Sequence, residues 1–163
     1  MRSVLGLSIA VIAAANFNHA HADDTASVMC KQFAISGAAE TVQPTTQLSK
    51  DFVPEHHAPR NIPIDVDLPS EVTAYIHFPI VEDGTYLIYT THPSRVAGIK
   101  EKNGNVISSS TVQAPSECPD ELMGGLTADI EVGALTGPRP IAIEFTKGAA
   151  GKIQLIISRD PIN

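Results

Sequence analysis

Four histidines lie beyond the N-terminal segment: His56, His57, His77 and His92. Neutral imidazole is the commonest protein ligand for copper and zinc, so the question is whether the chain brings two or three of them to one ion. Between Val72 and Val81, Ala74, Ile76, Phe78 and Ile80 share one strand face, and Tyr75, His77 and Pro79 share the other. Glu82-Asp83-Gly84 is a turn signal, and Thr85 to Thr91 is rich in β-branched and aromatic residues. The two runs read as a hairpin. With a two-residue turn at Asp83-Gly84, His92 falls opposite Tyr75 and His77 opposite Thr90, which makes the histidines diagonal neighbours about 7–8 Å apart at the backbone. A three-residue turn instead sets His77 against Tyr89. The His56-His57 pair, beside Asp51 and Glu55, offers a further ligand from a loop. Copper or zinc is the cofactor expected on this reading. On the competing one there is none, with His77 and His92 on a solvated face and His56 and His57 exposed.

Other chemistry is thinner. The pairs Asp65/Asp67 and Asp129/Glu131 recur at a spacing of two, the period of a solvent-facing strand, and Asp120/Glu121 adds another. None approaches the six to eight oxygens that calcium prefers. The chain has no G-x-S-x-G elbow, no H-E-x-x-H, no phosphate-cradling loop and no dinucleotide glycine pattern. It has no tryptophan either. An enzyme is not expected. Tyr75 and Tyr86, read as exposed, form a small candidate binding patch that His77 could join; packing beneath a loop is the alternative.

Cys30 and Cys118 are the two cysteines. In an oxidising compartment they read as one disulfide. Closing so long a loop stabilises a fold by roughly 4 kcal/mol in the chain-entropy account.

The start of the chain supplies that compartment. Arg2 precedes an apolar run from Val4 to Ala15, and Ala20-His21-Ala22 has the small-x-small form read by signal peptidase. The run falls short of the roughly 20 apolar residues of a membrane span, and no later segment is longer. Residues 1–22 are therefore expected to be removed after Ala22, leaving 141 of 163 residues, in the periplasm or secreted. A cut after Ala20 would instead make His21 a copper-chelating N-terminus, but it places Asn18 where a small residue belongs. Losing Arg2 leaves ten basic and eighteen acidic residues, a net charge of −8. Such a surface repels phosphate backbones, so nucleic acid is not an expected partner.

The elements that must position these residues are strands. Alternation marks Ile62–Leu68, Leu126–Val132, Ile141–Phe145 and Ile153–Ile157. Asn103-Gly104 is a hairpin turn between Arg95–Lys100 and Asn105–Val112. Val28–Ile35 is expected to add an N-terminal strand. Residues 37–60 read as a long surface crossover and 114–125 as a loop, since Pro44, Pro54, Pro59, Pro115 and Pro119 oppose long helices there. The expected fold is all-β, a two-sheet antiparallel β-sandwich or jelly roll of about eight strands. Residues 23–60 join 61–163 in one domain.

Ala74-Tyr75-Ile76-His77-Phe78-Pro79, Gly84-Thr85-Tyr86-Leu87-Ile88-Tyr89 and Lys102-Asn103-Gly104-Asn105-Val106-Ile107 resemble the central strands of bacterial pre-peptidase C-terminal domains. Those are secreted jelly-roll modules often appended to proteases. The likeness covers roughly residues 71–157 and implies the sandwich, with no activity. These 163 residues depart from the pattern in containing no protease and in carrying His92-Pro93 where an Asp typically follows the second strand, so the module is expected to stand alone. The function expected is a non-enzymatic exported binding module recognising a protein or small ligand. The alternative is a periplasmic copper or zinc protein.

Overall fold

A computed structural model describes residues 18–35, 40–48, 61–132 and 138–160. Ten strands and one helix follow in the order α1 (Asn18–Ile35), β1 (Glu40–Val42), β2 (Ile64–Leu68), β3 (Ala74–Ile80), β4 (Gly84–Thr90), β5 (Val96–Glu101), β6 (Val106–Ile107), β7 (Ser110–Gln113), β8 (Gly124–Ile130), β9 (Arg139–Phe145) and β10 (Gly151–Asp160). They form a six-stranded sheet, β1-β2-β10-β4-β8-β7, and a four-stranded sheet, β3-β9-β5-β6. Every pairing is antiparallel except β1 with β2. The all-β sandwich expected from two-residue alternation is what the chain builds. Ile76, Ile80, Ile143 and Phe145 from the smaller sheet meet Val66, Ile88, Ile130 and Leu155 from the larger one in a single apolar core.

The N-terminal element differs from expectation. Val28–Ile35 belongs to α1 and is not a strand. Its β-branched residues suggest a strand, but Ala26, Met29, Cys30 and Phe33 recur at three- and four-residue steps, which is one face of a helix. That face covers Leu87, Tyr89 and Ile156 on the outer side of β4 and β10, forming a second core. The six-stranded sheet is thus buried on both sides at its centre, and Cys30 of α1 is bonded to Cys118 of the 114–123 loop in this layer.

The β3–β4 hairpin is also corrected. β3 lies in the smaller sheet and β4 in the larger, so Val81-Glu82-Asp83 arches from one sheet to the other. Two-sided burial is the reason. β4 carries Tyr86 and Ile88 toward the sandwich core and Leu87 and Tyr89 toward α1, so it belongs at a sheet centre beside β10 and β8. Side chains fasten the arch: the Tyr86 hydroxyl donates to the Glu82 carbonyl (2.8 Å), and Val132 N–H donates to Asp83 Oδ1 (2.6 Å). Gly84 serves close packing here, since a β-carbon on it would come within 2.7 Å of the Asp160 carbonyl.

The second expected hairpin forms and then splits. β5 and β6 pair through Ile99–Ile107 and Lys100–Val106 around Asn103-Gly104. After Ile107 the chain leaves the smaller sheet, and from Ser110 it runs as the outermost strand of the larger one beside β8. Ser108 and Ser109 make that switch. Within the 37–60 crossover, Glu40–Val42 adds a short strand parallel to β2.

Candidate functional site

The histidines are not brought together as the hairpin register would have it. His77 pairs with Ala142 on the outer face of the smaller sheet and is 3 % exposed, so it is not on a solvated face. Ala142 beside it is fully buried, and Thr45 bridges to Tyr75 along the same strand. His92 follows β4 at the start of the short Pro93–Arg95 turn, where its Nδ1 lies 3.0 Å from Thr91 Oγ1. His56 and His57 fall outside the described residues. Among the described residues, no three His, Cys, Asp or Glu side chains converge into a metal-holding group.

The two tyrosines also separate. Tyr86 is buried in the sandwich core, and burial raises its phenol pKa above the ordinary value. It is no part of a surface patch. Tyr75 lies half-buried on the outer face of the smaller sheet, its hydroxyl 3.2 Å from Glu144 Oε1. Lys100 reaches the same carboxylate at 2.8 Å and sits 5.9 Å from the ring centre. Burial and the Glu144 charge push the Tyr75 phenol up, and the Glu144 hydrogen bond holds the Lys100 ammonium above its usual range. Nearby, Arg139 and then Asn105 hydrogen-bond Glu101 and hold its carboxyl below the usual range. These groups satisfy one another and knit β3, β9 and β5 together.

The unfinished part of the molecule is the corner where β7 begins. Extending the β7–β8 register by two residues would set Ser109 against Ala128 and Ser108 against Asp129. The chain turns to the other sheet instead, and an open cavity of about 220 Å³ remains, lined by Ser108, Ser109, Ser110, Thr127, Ala128 and Asp129. Ladder geometry says which groups face it. In antiparallel pairs, hydrogen-bonded and non-hydrogen-bonded partners alternate. Ala114 N–H donates to the Met123 carbonyl, so Val112–Gly125 and Ser110–Thr127 are the hydrogen-bonded pairs of the register. The next residue of β8 with its backbone turned to this side is Asp129, beside the cavity. By the same alternation, Thr111 and Gln113 direct their N–H and carbonyl groups away from β8.

Among the described residues, no strand lies beyond β7. The other sheet edges are blunted. β3 is bridged by Thr45, β6 is two residues long, and β1 is three residues long and carries the charged Glu40. β7 has four residues, Ser110-Thr111-Val112-Gln113, with neither charge nor proline, the devices that usually protect an edge. Apolar side chains are left in water at both ends of the region, Val106 at 73 % exposure and Met123 at 57 %. The tethered loop 114–123 bounds it on one side through the Cys30–Cys118 bond.

Along the chain, the segment that builds this edge carries charge of one sign, and Arg139 beyond it donates to the Glu131 carbonyl. From Asn103 to Pro138 the chain contains no lysine or arginine, while Glu117, Asp120, Glu121, Asp129 and Glu131 all lie exposed within that stretch. Sequence reading aimed at histidines and tyrosines passes over this signal, although it was present in the gap between Lys102 and Arg139. No family model and no curated protein matches the chain.

Proposed function

We propose that this chain is an exported, non-enzymatic β-sandwich module that binds its ligand along the open β7 edge, which runs from the Ser108-Ser109 corner to the disulfide-tethered loop at the strand's other end. One observation carries the reading: an uncharged sheet edge with outward-facing backbone groups runs directly into a cavity bordered by hydroxyls and the Asp129 backbone. Backbone and hydroxyl groups of this kind recognise ligands through directional hydrogen bonds. Among the described residues the cavity lining offers serines, a threonine and a carboxylate with no imidazole to couple them, and this lining supports binding over nucleophilic catalysis. Export is supported by the leader-like Val4–Ala15 run and Ala20-His21-Ala22, and a disulfide suits an oxidising compartment. No helix among the described residues is long and apolar enough to cross a membrane. The resemblance of residues 71–157 to pre-peptidase C-terminal domains fits a secreted accessory role.

The test is a selection of peptide and small-molecule libraries on the disulfide-bonded mature protein, followed by rebinding to a Ser109→Trp variant that fills the cavity. Ligands that hold the wild type and lose the variant support the reading. Ligands that bind both equally place recognition elsewhere and overturn it.

A further inference from the structure

We infer that β7 accepts an extended, cationic segment of a protein partner as a seventh strand of the larger sheet. This rests on the corner being the binding end, and it names what the corner binds. Strand addition needs alternate outward N–H and carbonyl groups on an accessible edge, and Thr111 and Gln113 present them at the required two-residue spacing. It also needs an edge without inward charges or proline, as in Ser110-Thr111-Val112-Gln113.

Charge selects the occupant. Five exposed carboxylates, Glu117, Asp120, Glu121, Asp129 and Glu131, lie in a stretch without one lysine or arginine. A second copy pairing β7 with β7 would bring two such rims together, and the whole chain already carries a net −7. Like charges brought that close oppose association. A strand flanked by lysine or arginine meets the opposite field, and its end residue lies beside the cavity at Asp129.

The ligand's class is open to direct assay with a short synthetic peptide that alternates threonine and valine and carries lysine at each end. Its affinity for the mature protein is measured against an acid-ended peptide and against two versions N-methylated on alternate residues. The basic peptide should bind at least about tenfold more tightly than the acid-ended one at low salt, and the gap should narrow as salt rises. One N-methylated version should lose binding while the other, blocked on its outer edge, keeps it. Thr111→Pro should abolish binding, because it removes an N–H that plays no part in pairing with β8.

Binding indifferent to both N-methylated sets and to Thr111→Pro would mean attraction by charge alone and would overturn strand addition. Self-association of the protein that protects the Thr111 and Gln113 amides would assign the edge to a second copy and overturn it too. If no peptide binds but library ligands still discriminate Ser109→Trp, the strand proposal fails and the corner reading stands. If neither discriminates, both fail.

Discussion

Cys30 and Cys118 are joined across 88 positions with their Cα atoms 4.7 Å apart, and the bond couples the helix to the loop that follows the far end of β7. Met29 and Cys30 on one side and Leu87, Tyr89, Leu122 and Ile156 on the other form the apolar layer around it. Replacing both cysteines with alanine should cost roughly 4 kcal/mol, since the loop closed is long. The same change should expose the outer face of β4 and β10 to a hydrophobic dye. Urea unfolding of the oxidised and double-variant proteins measures the first, and dye fluorescence the second. An unchanged midpoint would mean that α1 holds its place without the bond.

Gly125 should tolerate no side chain. The Ile88 carbonyl occupies the place a β-carbon there would take, and backbone cannot rotate away as a side chain can. Gly125→Ala is expected to destabilise by about 2 kcal/mol or more. Gly98, where an added β-carbon meets nothing within 4 Å, provides the control, and Gly98→Ala should stay within about 0.5 kcal/mol of wild type. Equal effects in chemical denaturation would contradict the close approach of β4 and β8.

Alkaline pH should weaken the fold. The phenols of Tyr86 and Tyr75 and the ammonium of Lys100 are all raised above their ordinary values, the phenols chiefly by burial and Lys100 by its bond to Glu144. A raised folded value means stability that is complete below the unfolded value and lost as pH climbs through the folded one. For tyrosine and lysine that loss begins above about pH 10. Glu101 is depressed by Arg139, so its contribution is present at neutral pH and is lost as pH falls below about 4. Denaturant midpoints across pH should show a plateau between these limits. A Tyr75→Phe/Tyr86→Phe variant should lose less on passing above pH 10 than wild type does, and an identical loss would exclude the phenols as its source.

The arch between the sheets depends on Asp83. Removing its carboxylate leaves Val132 N–H without its 2.6 Å acceptor, so Asp83→Ala should cost about 1 kcal/mol. Asp83→Asn keeps an acceptor oxygen and should recover most of it. A hairpin at this position would make both substitutions neutral, which the same unfolding measurement can reveal.

Much of this architecture is legible in the residue order, and the exceptions share a cause. β2 and β8 alternate cleanly because one face of each meets the core and the other is more open to water, and β9 keeps the same alternation although Ala142 on its outer face is buried. β4 does not, since Leu87 and Tyr89 are apolar for the sake of α1, and an apolar run says nothing about which sheet it joins. Glu82-Asp83-Gly84 has the composition of a tight turn, yet the same residues build an arch when the flanking strands need different neighbours. The helix was masked by Val28 and Ile35, although Ala26, Met29, Cys30 and Phe33 marked its stripe. Cysteine pairing was legible because only one pairing exists. The candidate site was not, because an open edge arises from where Ser108-Ser109 leave one sheet for the other. Local periodicity carries no record of that.

Hydrogen exchange of individual backbone amides in the free, disulfide-bonded protein tests the open edge most directly. Val112, hydrogen-bonded into the ladder with Gly125, should be protected, while Thr111 and Gln113 on either side should exchange far faster, in an alternating pattern along one strand. Uniform protection across the three would show that β7 already has a neighbour on its outer side, and the corner would not be the place where this protein takes hold of another.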